Sequence, residues 1–189
     1  MLRLPRTVYE GMAAHAVAEY PKECCGFLTG MGDPGDPGDP GDPGDPGDPG
    51  DLADPANPTE PFDSVDSVDP ASWQVHRCRN IQDELHAKDP AEHPRDARTA
   101  YAFSREDMER LFFGKFDPPG ARVQGFYHSH PDAPAYFSEK DRMDALTGWL
   151  DPEPGYLVLS VTRGVVSDIK MFRWVDDKTG FEELPVELV

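Results

Sequence analysis

The sequence predicts a mixed α/β domain of about 150 residues that is interrupted by an acidic insert. Two observations lead to this prediction. Segments with helical periodicity alternate along the chain with short apolar runs typical of strands. Residues 31–70 hold eleven Asp, one Glu and no Lys or Arg, in a chain of 189 residues with a formal net charge of −18. The rest of the chain therefore carries a modest negative charge that is ordinary for a globular domain.

The first predicted elements are a helix and a buried strand. Residues 8–19 have helical periodicity, and the apolar side chains expected on one face are Val8, Met12, Ala16 and Val17. Pro21 ends this helix. The short apolar run at residues 24–30 then predicts a buried strand that opens just after Glu23.

A repeated tripeptide follows this strand. Gly-Asp-Pro occurs six times up to residue 50, and a similar composition continues to residue 70. Self-repelling Asp combined with Pro and Gly favours a disordered, extended chain. We therefore expect an enlarged surface loop between two early strands, where extra length costs little free energy.

The remaining elements alternate between strands and helices. Ser104 and Ser138 each stand three residues before an Asp in a helix-capping pattern. The first of these helices is expected to end near Gly114, and the second to run to about Trp149. Residues 82–100 are polar and contain two prolines, which predicts a loop. Strands are predicted over residues 73–81, 122–128, 156–161 and 165–175.

Several functional classes are excluded by composition. No apolar run approaches the roughly 20 residues of a membrane-spanning helix, and the N-terminal residues lack the apolar region of a signal peptide. The basic residues are too scattered for a nucleic-acid surface. Cys24, Cys25 and Cys78 read as buried free thiols rather than as a disulfide framework. The sequence thus predicts a cytoplasmic protein with no membrane or nucleic-acid partner, and it leaves the oligomeric state open.

The most informative segment contains His128 and His130, one residue apart. In a strand, side chains two residues apart project from the same face, so these two imidazoles form a natural pair of divalent-metal ligands. Asp141, in the first turn of the helix that Ser138 begins, is placed to complete a His-His-Asp site. Three protein ligands leave a fourth position for water, as in hydrolytic zinc sites.

Hydrolysis also needs a proton acceptor and a hydrogen-bond donor. Glu23 is a candidate general base and acid, and Ser138 is a candidate donor to a developing oxyanion. Each residue has a simpler interpretation as well. Glu23 alone reads as an exposed carboxylate at a strand start, and Ser138 with Asp141 alone reads as an ordinary helix cap.

Taken together, these residues resemble a known family. Glu23 stands in Pro-Lys-Glu-Cys-Cys-Gly, and His-Ser-His-Pro is followed after six residues by Ser138 and after two more by Asp141. This pattern is similar to that of the JAMM (MPN+) metalloproteases, especially the stand-alone bacterial members. The resemblance covers residues 5–30 and 71–175, and the Gly-Asp-Pro insert departs from it.

The resemblance implies a cytidine-deaminase-like (MPN) fold with a mixed β-sheet flanked by helices. It also implies one Zn²⁺ held by His128, His130 and Asp141, with Glu23 activating a water and Ser138 assisting the tetrahedral intermediate. The implied reaction is hydrolysis of a peptide or isopeptide bond at the C-terminus of a ubiquitin-like or sulfur-carrier protein, whose own chain ends in Gly-Gly. One JAMM/MPN+ domain is expected over residues 1–189, with its disordered insert at about 31–70.

Two other functions compete with this hypothesis. The first is a non-catalytic MPN-type protein-binding scaffold, although such proteins usually lack one or more of the metal ligands. The second is a zinc nucleobase deaminase, which requires a His-x-Glu motif and a Pro-Cys-x-x-Cys motif. Neither motif is present in the sequence.

Overall fold

The structure is a computed structural model that describes residues 1–31, 72–114, 116–147, 154–176 and 180–189. Strands and helices are interleaved along the chain, as the sequence predicts. In chain order they are β1 (Leu2–Leu4), α1 (Arg6–Glu19), β2 (Cys25–Met31), β3 (Gln74–Cys78), α2 (Gln82–Lys88), α3 (Arg105–Phe113), β4 (Ala121–Pro131), α4 (Glu139–Thr147), β5 (Gly155–Thr162), β6 (Val165–Asp176), β7 (Gly180–Leu184) and β8 (Val186–Leu188).

Six of the strands form one mixed sheet, in the spatial order β3-β2-β4-β5-β6-β7. The pair β4 and β5 is parallel, and the other neighbours are antiparallel. A separate two-stranded parallel sheet joins β1 to β8. This mixed sheet with helices around it confirms the predicted α/β fold class.

The central strands are buried on both faces, and alternate side chains feed two apolar clusters. On β5, Leu157 and Leu159 join the cluster that contains Val8 and Met12 of α1. Their neighbours Tyr156 and Val158 join the cluster on the opposite face. The site side chains of β4 lie on this second face, because Phe126 belongs to the second cluster and His128 follows it by two residues.

The predicted helix boundaries are largely confirmed. The side chain of Ser104 accepts a hydrogen bond from the backbone N–H of Asp107 at 3.1 Å, and Gly114 ends α3 in the left-handed conformation with φ 56°. Helix α1 begins two residues earlier than predicted, at Arg6. Val17, predicted on its buried face, is exposed. The three cysteines are buried free thiols, as predicted.

The prediction of a loop over residues 82–100 is wrong at its start, where α2 forms. This helix buries only Gln82 among its seven residues, so the sequence shows no apolar stripe. Acidic Asp83 and Glu84 in the first turn and Lys88 in the last turn suit the helix dipole instead. The short strands β1, β7 and β8 were also not predicted.

The acidic insert predicted at about 31–70 lies outside the described residues apart from Met31. The two flanks of this insert meet, because the backbone N–H of Met31 donates to the hydroxyl of Ser72 at 3.0 Å. The last two residues predicted for the helix that ends near Trp149 also lie outside the described residues. In the described ranges no helix is long and apolar enough to cross a bilayer.

Candidate metal centre

Two imidazoles lie together at the end of β4. His128 and His130 project from the same face, and their Nε2 atoms are 3.1 Å apart. Both side chains are buried, since β4 runs between β2 and β5 in the sheet. Burial, followed by the neighbouring charge of His128, lowers the pKa of His130 to about 4. His130 is therefore a neutral imidazole near pH 7, the form that binds metals.

The start of α4 brings a carboxylate to these imidazoles. The backbone N–H of Asp141 donates to the hydroxyl of Ser138 at 3.2 Å, and the backbone N–H of Ser138 donates to Asp141 Oδ2 at 2.7 Å. This reciprocal cap fixes the aspartate side chain. Asp141 Oδ2 lies 3.5 Å from His128 Nε2 and 3.9 Å from His130 Nε2.

Electrostatics keep this carboxylate ionised. Burial opposes the charge of Asp141, but the adjacent His128 and the hydrogen bonds from Ser138 outweigh it and hold its pKa well below the ordinary range. For His128, burial is likewise outweighed by the Asp141 carboxylate, so its pKa is raised. The ionised carboxylate and the two imidazoles together provide three donor atoms that suit a cation.

The distances among the three donor atoms fit a metal ion. A tetrahedral zinc with bonds of about 2.0–2.2 Å places its ligand atoms roughly 3.3–3.5 Å apart. The three separations of 3.1, 3.5 and 3.9 Å bracket that value. Buried His128, His130 and Asp141 therefore form a group that can hold a metal ion.

Neighbouring groups orient the two histidine rings. His130 Nδ1 lies 3.0 Å from the carbonyl oxygen of Pro134, so the neutral ring donates from Nδ1 and leaves Nε2 free for a ligand bond. The ring of His128 stacks on Tyr101, with centroids 4.8 Å apart. Tyr136 contacts His130 edge-on and is half exposed, whereas Phe137 is buried in the core.

Glu23 lies in the same cavity and is buried rather than exposed. Its backbone N–H donates to the carbonyl of Ala97 at 2.7 Å, and the side-chain amide of Asn80 donates to its carbonyl at 2.9 Å. Burial raises the pKa of Glu23 to about 7; the charge of His128 lowers it and that of Asp141 raises it. A carboxyl group that titrates near neutrality can both accept and release a proton.

Ser129, between the two histidines, ties Glu23 to them. Its side chain points to the opposite face, where its hydroxyl accepts from the backbone N–H of Cys24 at 2.9 Å. Its own N–H donates to the Cys24 carbonyl at 3.1 Å. Cys24, the residue after Glu23, is thus held by two hydrogen bonds to Ser129, the residue between the two histidines.

The sequence alone does not reveal Ser129 and Asn80 as positioning residues. Their partners lie on other elements, so no local spacing reveals them. The one available signal for Asn80 is a polar residue near the end of the strand predicted over residues 73–81; in the structure β3 ends two residues earlier, at Cys78.

A cavity of about 390 Å³ opens over these groups. The structure brings four of the five predicted site residues to its wall, and the fifth, buried His128, has its Nε2 atom 3.1 Å from that of His130. The four that line it are Glu23, His130, Ser138 and Asp141.

Comparison with known proteins supports this architecture. A solution structure of protein DSY2949 from Desulfitobacterium hafniense superposes with a TM-score of 0.58 at 23% identity, covering 100% of this chain and 93% of that one. A solution structure of a protein from Salinibacter ruber gives a TM-score of 0.51 at 18% identity, with coverages of 100% and 92%. These likenesses concern the fold alone. No curated protein sequence matches the chain.

The family assignment rests on a match across most of the sequence. Residues 5–175 fit the model of a family described as prokaryotic homologs of the JAB domain, Prok-JAB. This range includes Glu23 and all three possible metal ligands. The family that the His-Ser-His and downstream Ser and Asp pattern indicates is thereby confirmed, and the chain belongs to the prokaryotic JAB-domain family.

Proposed function

We propose that this protein is a zinc-dependent metallopeptidase that hydrolyses a peptide or isopeptide bond at the C-terminus of a ubiquitin-like or sulfur-carrier protein. The observation that carries the proposal is that Glu23 lines the same cavity as two of the three side chains that could hold a metal ion. A merely structural metal site would be closed by a fourth protein ligand. Here the three donors are His128, His130 and Asp141.

The donor set favours zinc. Two imidazole nitrogens and one carboxylate oxygen match a hydrolytic zinc site with an open fourth position. Zinc bound there would lower the pKa of a water molecule and polarise the scissile carbonyl.

Glu23 supports the proton transfers of hydrolysis. With a pKa raised to about 7 by burial, it can accept a proton from the attacking water and deliver it to the departing amine. Its backbone N–H donates to Ala97 and its carbonyl accepts from Asn80, which fixes the point from which the side chain extends. General acid–base catalysis of this kind contributes about 10²–10⁴-fold to the rate.

Ser138 supports stabilisation of the reacting carbonyl. Its oxygen accepts the backbone N–H of Asp141, so its own proton can be donated either to the Asp141 carboxylate or to a substrate oxygen. Helix capping and catalysis are therefore compatible at this one residue. Removal of such a donor typically costs about 10²–10³ in kcat.

The test combines metal content with turnover. Purified wild type, His128→Ala and Glu23→Gln are compared, with His93→Ala as a control because His93 does not line the cavity. Near one zinc per chain is expected in all except His128→Ala. Peptides that extend a Gly-Gly terminus serve as substrates, and both His128→Ala and Glu23→Gln should lose at least about 100-fold in kcat/KM.

Two results would contradict the proposal. One is full zinc binding by His128→Ala, and the other is undiminished turnover by Glu23→Gln. Tight binding of a carrier protein by a wild type that takes up no zinc would favour the non-catalytic scaffold instead.

A further inference from the structure

The loop that follows the two histidines contains an anchoring carboxylate. We infer that Asp132 is a positioning residue, whose side chain joins the loop that supports His130 to the chain segment that carries Glu23. Asp132 does not line the cavity, so it acts through other residues rather than on a substrate. This inference deepens the proposed function and rests on it.

Asp132 has a backbone conformation that most residues avoid. Its φ is 52°, in the left-handed region, which Asp and Asn enter more readily than other residues that have a side chain. Its backbone N–H donates to the carbonyl of Val161 at 2.8 Å, so the residue directly after β4 is bonded to β5. An uncommon conformation of this kind persists where the surrounding contacts hold it.

The two carboxylate oxygens of Asp132 accept from two different parts of the chain. Oδ1 accepts from the backbone N–H of Arg163 at 2.9 Å, and Oδ2 accepts from the hydroxyl of Tyr20 at 2.8 Å. Arg163 and Gly164 form the two-residue turn between β5 and β6, and both have positive φ. An exposed carboxylate is ionised at neutral pH, which strengthens both bonds. Asp132 thus links this turn to the C-terminal end of α1.

One side of this network supports the ring of His130. The carbonyl of Pro134, two residues after Asp132, is the group that lies 3.0 Å from His130 Nδ1. Between them, the carbonyl of Ala133 accepts from the buried hydroxyl of Ser160 at 2.7 Å. The loop is therefore bonded to β5 on both sides of its turn, which fixes the Pro134 carbonyl. The partner of the second ring nitrogen determines the tautomer and orientation of a metal-binding imidazole.

The other side of the network supports Glu23. Tyr20 is the C-terminal cap of α1 and precedes Glu23 by three residues. The hydroxyl of Tyr20 is held by Asp132, and the backbone of Cys24 is held by Ser129. The segment that carries Glu23 is thus attached at both ends to β4 and the residue that follows it. Such attachment matters because a displacement of about 1 Å can cost about 100-fold in rate.

The test separates the carboxylate of Asp132 from its backbone conformation. Asp132→Gly removes the carboxylate and tolerates the positive φ, whereas Asp132→Asn keeps the conformation and two hydrogen-bonding groups. NMR of metal-free protein with isotope-labelled histidine reports which ring nitrogen of His130 carries the proton. Wild type and Asp132→Asn should hold it on Nδ1, and Asp132→Gly should populate both tautomers. Zinc affinity, measured by competition with a chelator, should fall about 10–100-fold in Asp132→Gly and recover in Asp132→Asn.

Tyr20→Phe tests the side of the network that reaches Glu23. This variant removes the hydroxyl that donates to Asp132 and leaves the bond from the Arg163 N–H in place. The tautomer of His130 and the zinc affinity should match those of wild type. With peptides that extend a Gly-Gly terminus, kcat should fall about 10-fold at unchanged KM. An unchanged kcat would overturn the proposed link to Glu23.

The control is Asp89→Gly, because Asp89 is exposed and does not line the cavity. Its carboxylate also accepts from two backbone N–H groups, those of Ala91 and Glu92, each at 3.1 Å. This variant should keep the His130 tautomer and the zinc affinity of wild type. The inference is overturned if Asp132→Gly also keeps both, or if Asp89→Gly changes them equally.

These measurements separate the inference from the proposed function. A changed tautomer and weaker zinc binding in Asp132→Gly, with no cleavage of any peptide by wild type, would reject the peptidase activity and retain the positioning role. Cleavage by wild type, with a tautomer and zinc affinity that Asp132→Gly leaves unchanged, would retain the activity and reject the positioning role.

Discussion

A buried histidine on α1 makes the stability of this protein depend on pH. His15 is 5% exposed, and its Nδ1 lies 2.9 Å from the hydroxyl oxygen of Tyr127. Burial, helped by the charge of Arg77, lowers the pKa of His15 from 6.5 to about 4. The folded protein therefore holds this imidazole neutral at pH values where the unfolded chain protonates it.

The size of the effect follows from this difference in pKa. The stabilisation is complete above the unfolded pKa of 6.5 and is lost as the pH falls from 6.5 toward 4. At pH 5.5 the unfolded ring is protonated about ten to one, whereas only about 3% of the folded ring is protonated. The corresponding loss is about 1.4 kcal/mol, and it reaches about 3 kcal/mol below pH 4.

The assay uses His15→Gln, which keeps a hydrogen-bonding group near Tyr127 but cannot titrate. The free energy of unfolding is measured with urea at pH 8.0 and 5.5, both above the isoelectric point of about 4.5. A chelator removes the pH dependence of metal binding. Between these two pH values, wild type should lose about 1.4 kcal/mol more than the variant. Glu23 and His130 titrate in both proteins, so their contributions cancel in this comparison. Identical losses of unfolding free energy in the two proteins would therefore refute the reasoning.

Three further predictions concern the site and its supports. Ser129→Ala leaves a buried backbone N–H without its acceptor and should cost about 1–3 kcal/mol in urea unfolding. Exposed Ser167→Ala should stay within about 0.5 kcal/mol, and equal losses in the two would contradict this explanation. Gly26→Ala would place a Cβ in steric overlap with the carbonyl oxygen of His76 and the ring of Tyr127, so Tm should fall by several degrees; an unchanged Tm would be the failing result. Zinc at 100 times its Kd should add about 2.7 kcal/mol to the unfolding free energy. This gain should vanish in Asp141→Ala, and its persistence there would exclude the carboxylate as a ligand.

The chemistry-bearing residues were predictable because their spacing is local. A strand period of two places His128 and His130 on one face, and a helix cap places Asp141 in the first turn of α4. The position of Glu23 depends instead on the pairing of β2 with β4, which aligns Cys25 with His128. Sequence periodicity does not encode that register, and the family resemblance was needed to supply it.

The elements that the sequence did not predict lack a local sequence signal. Helix α2 buries one polar side chain, so it lacks the apolar stripe by which helices are recognised. Strands β1 and β8 have three residues each and pair with one another from opposite ends of the chain. Their stability comes from a partner far away in sequence, and buried Leu2 and Leu4 carry no signal of it.

The contact between Met31 and Ser72 brings together the two attachment points of the acidic repeat. Strand β2 begins next to Glu23 and ends at Met31, and its seven residues span about 20 Å. The segment that follows Met31 is therefore attached about 20 Å along β2 from the end of the sheet near Glu23. Because the two attachment points touch, β2 and β3 form a hairpin whose connection can be exchanged. A folded reporter with adjacent termini could occupy this position and leave the metal-binding end of the sheet undisturbed.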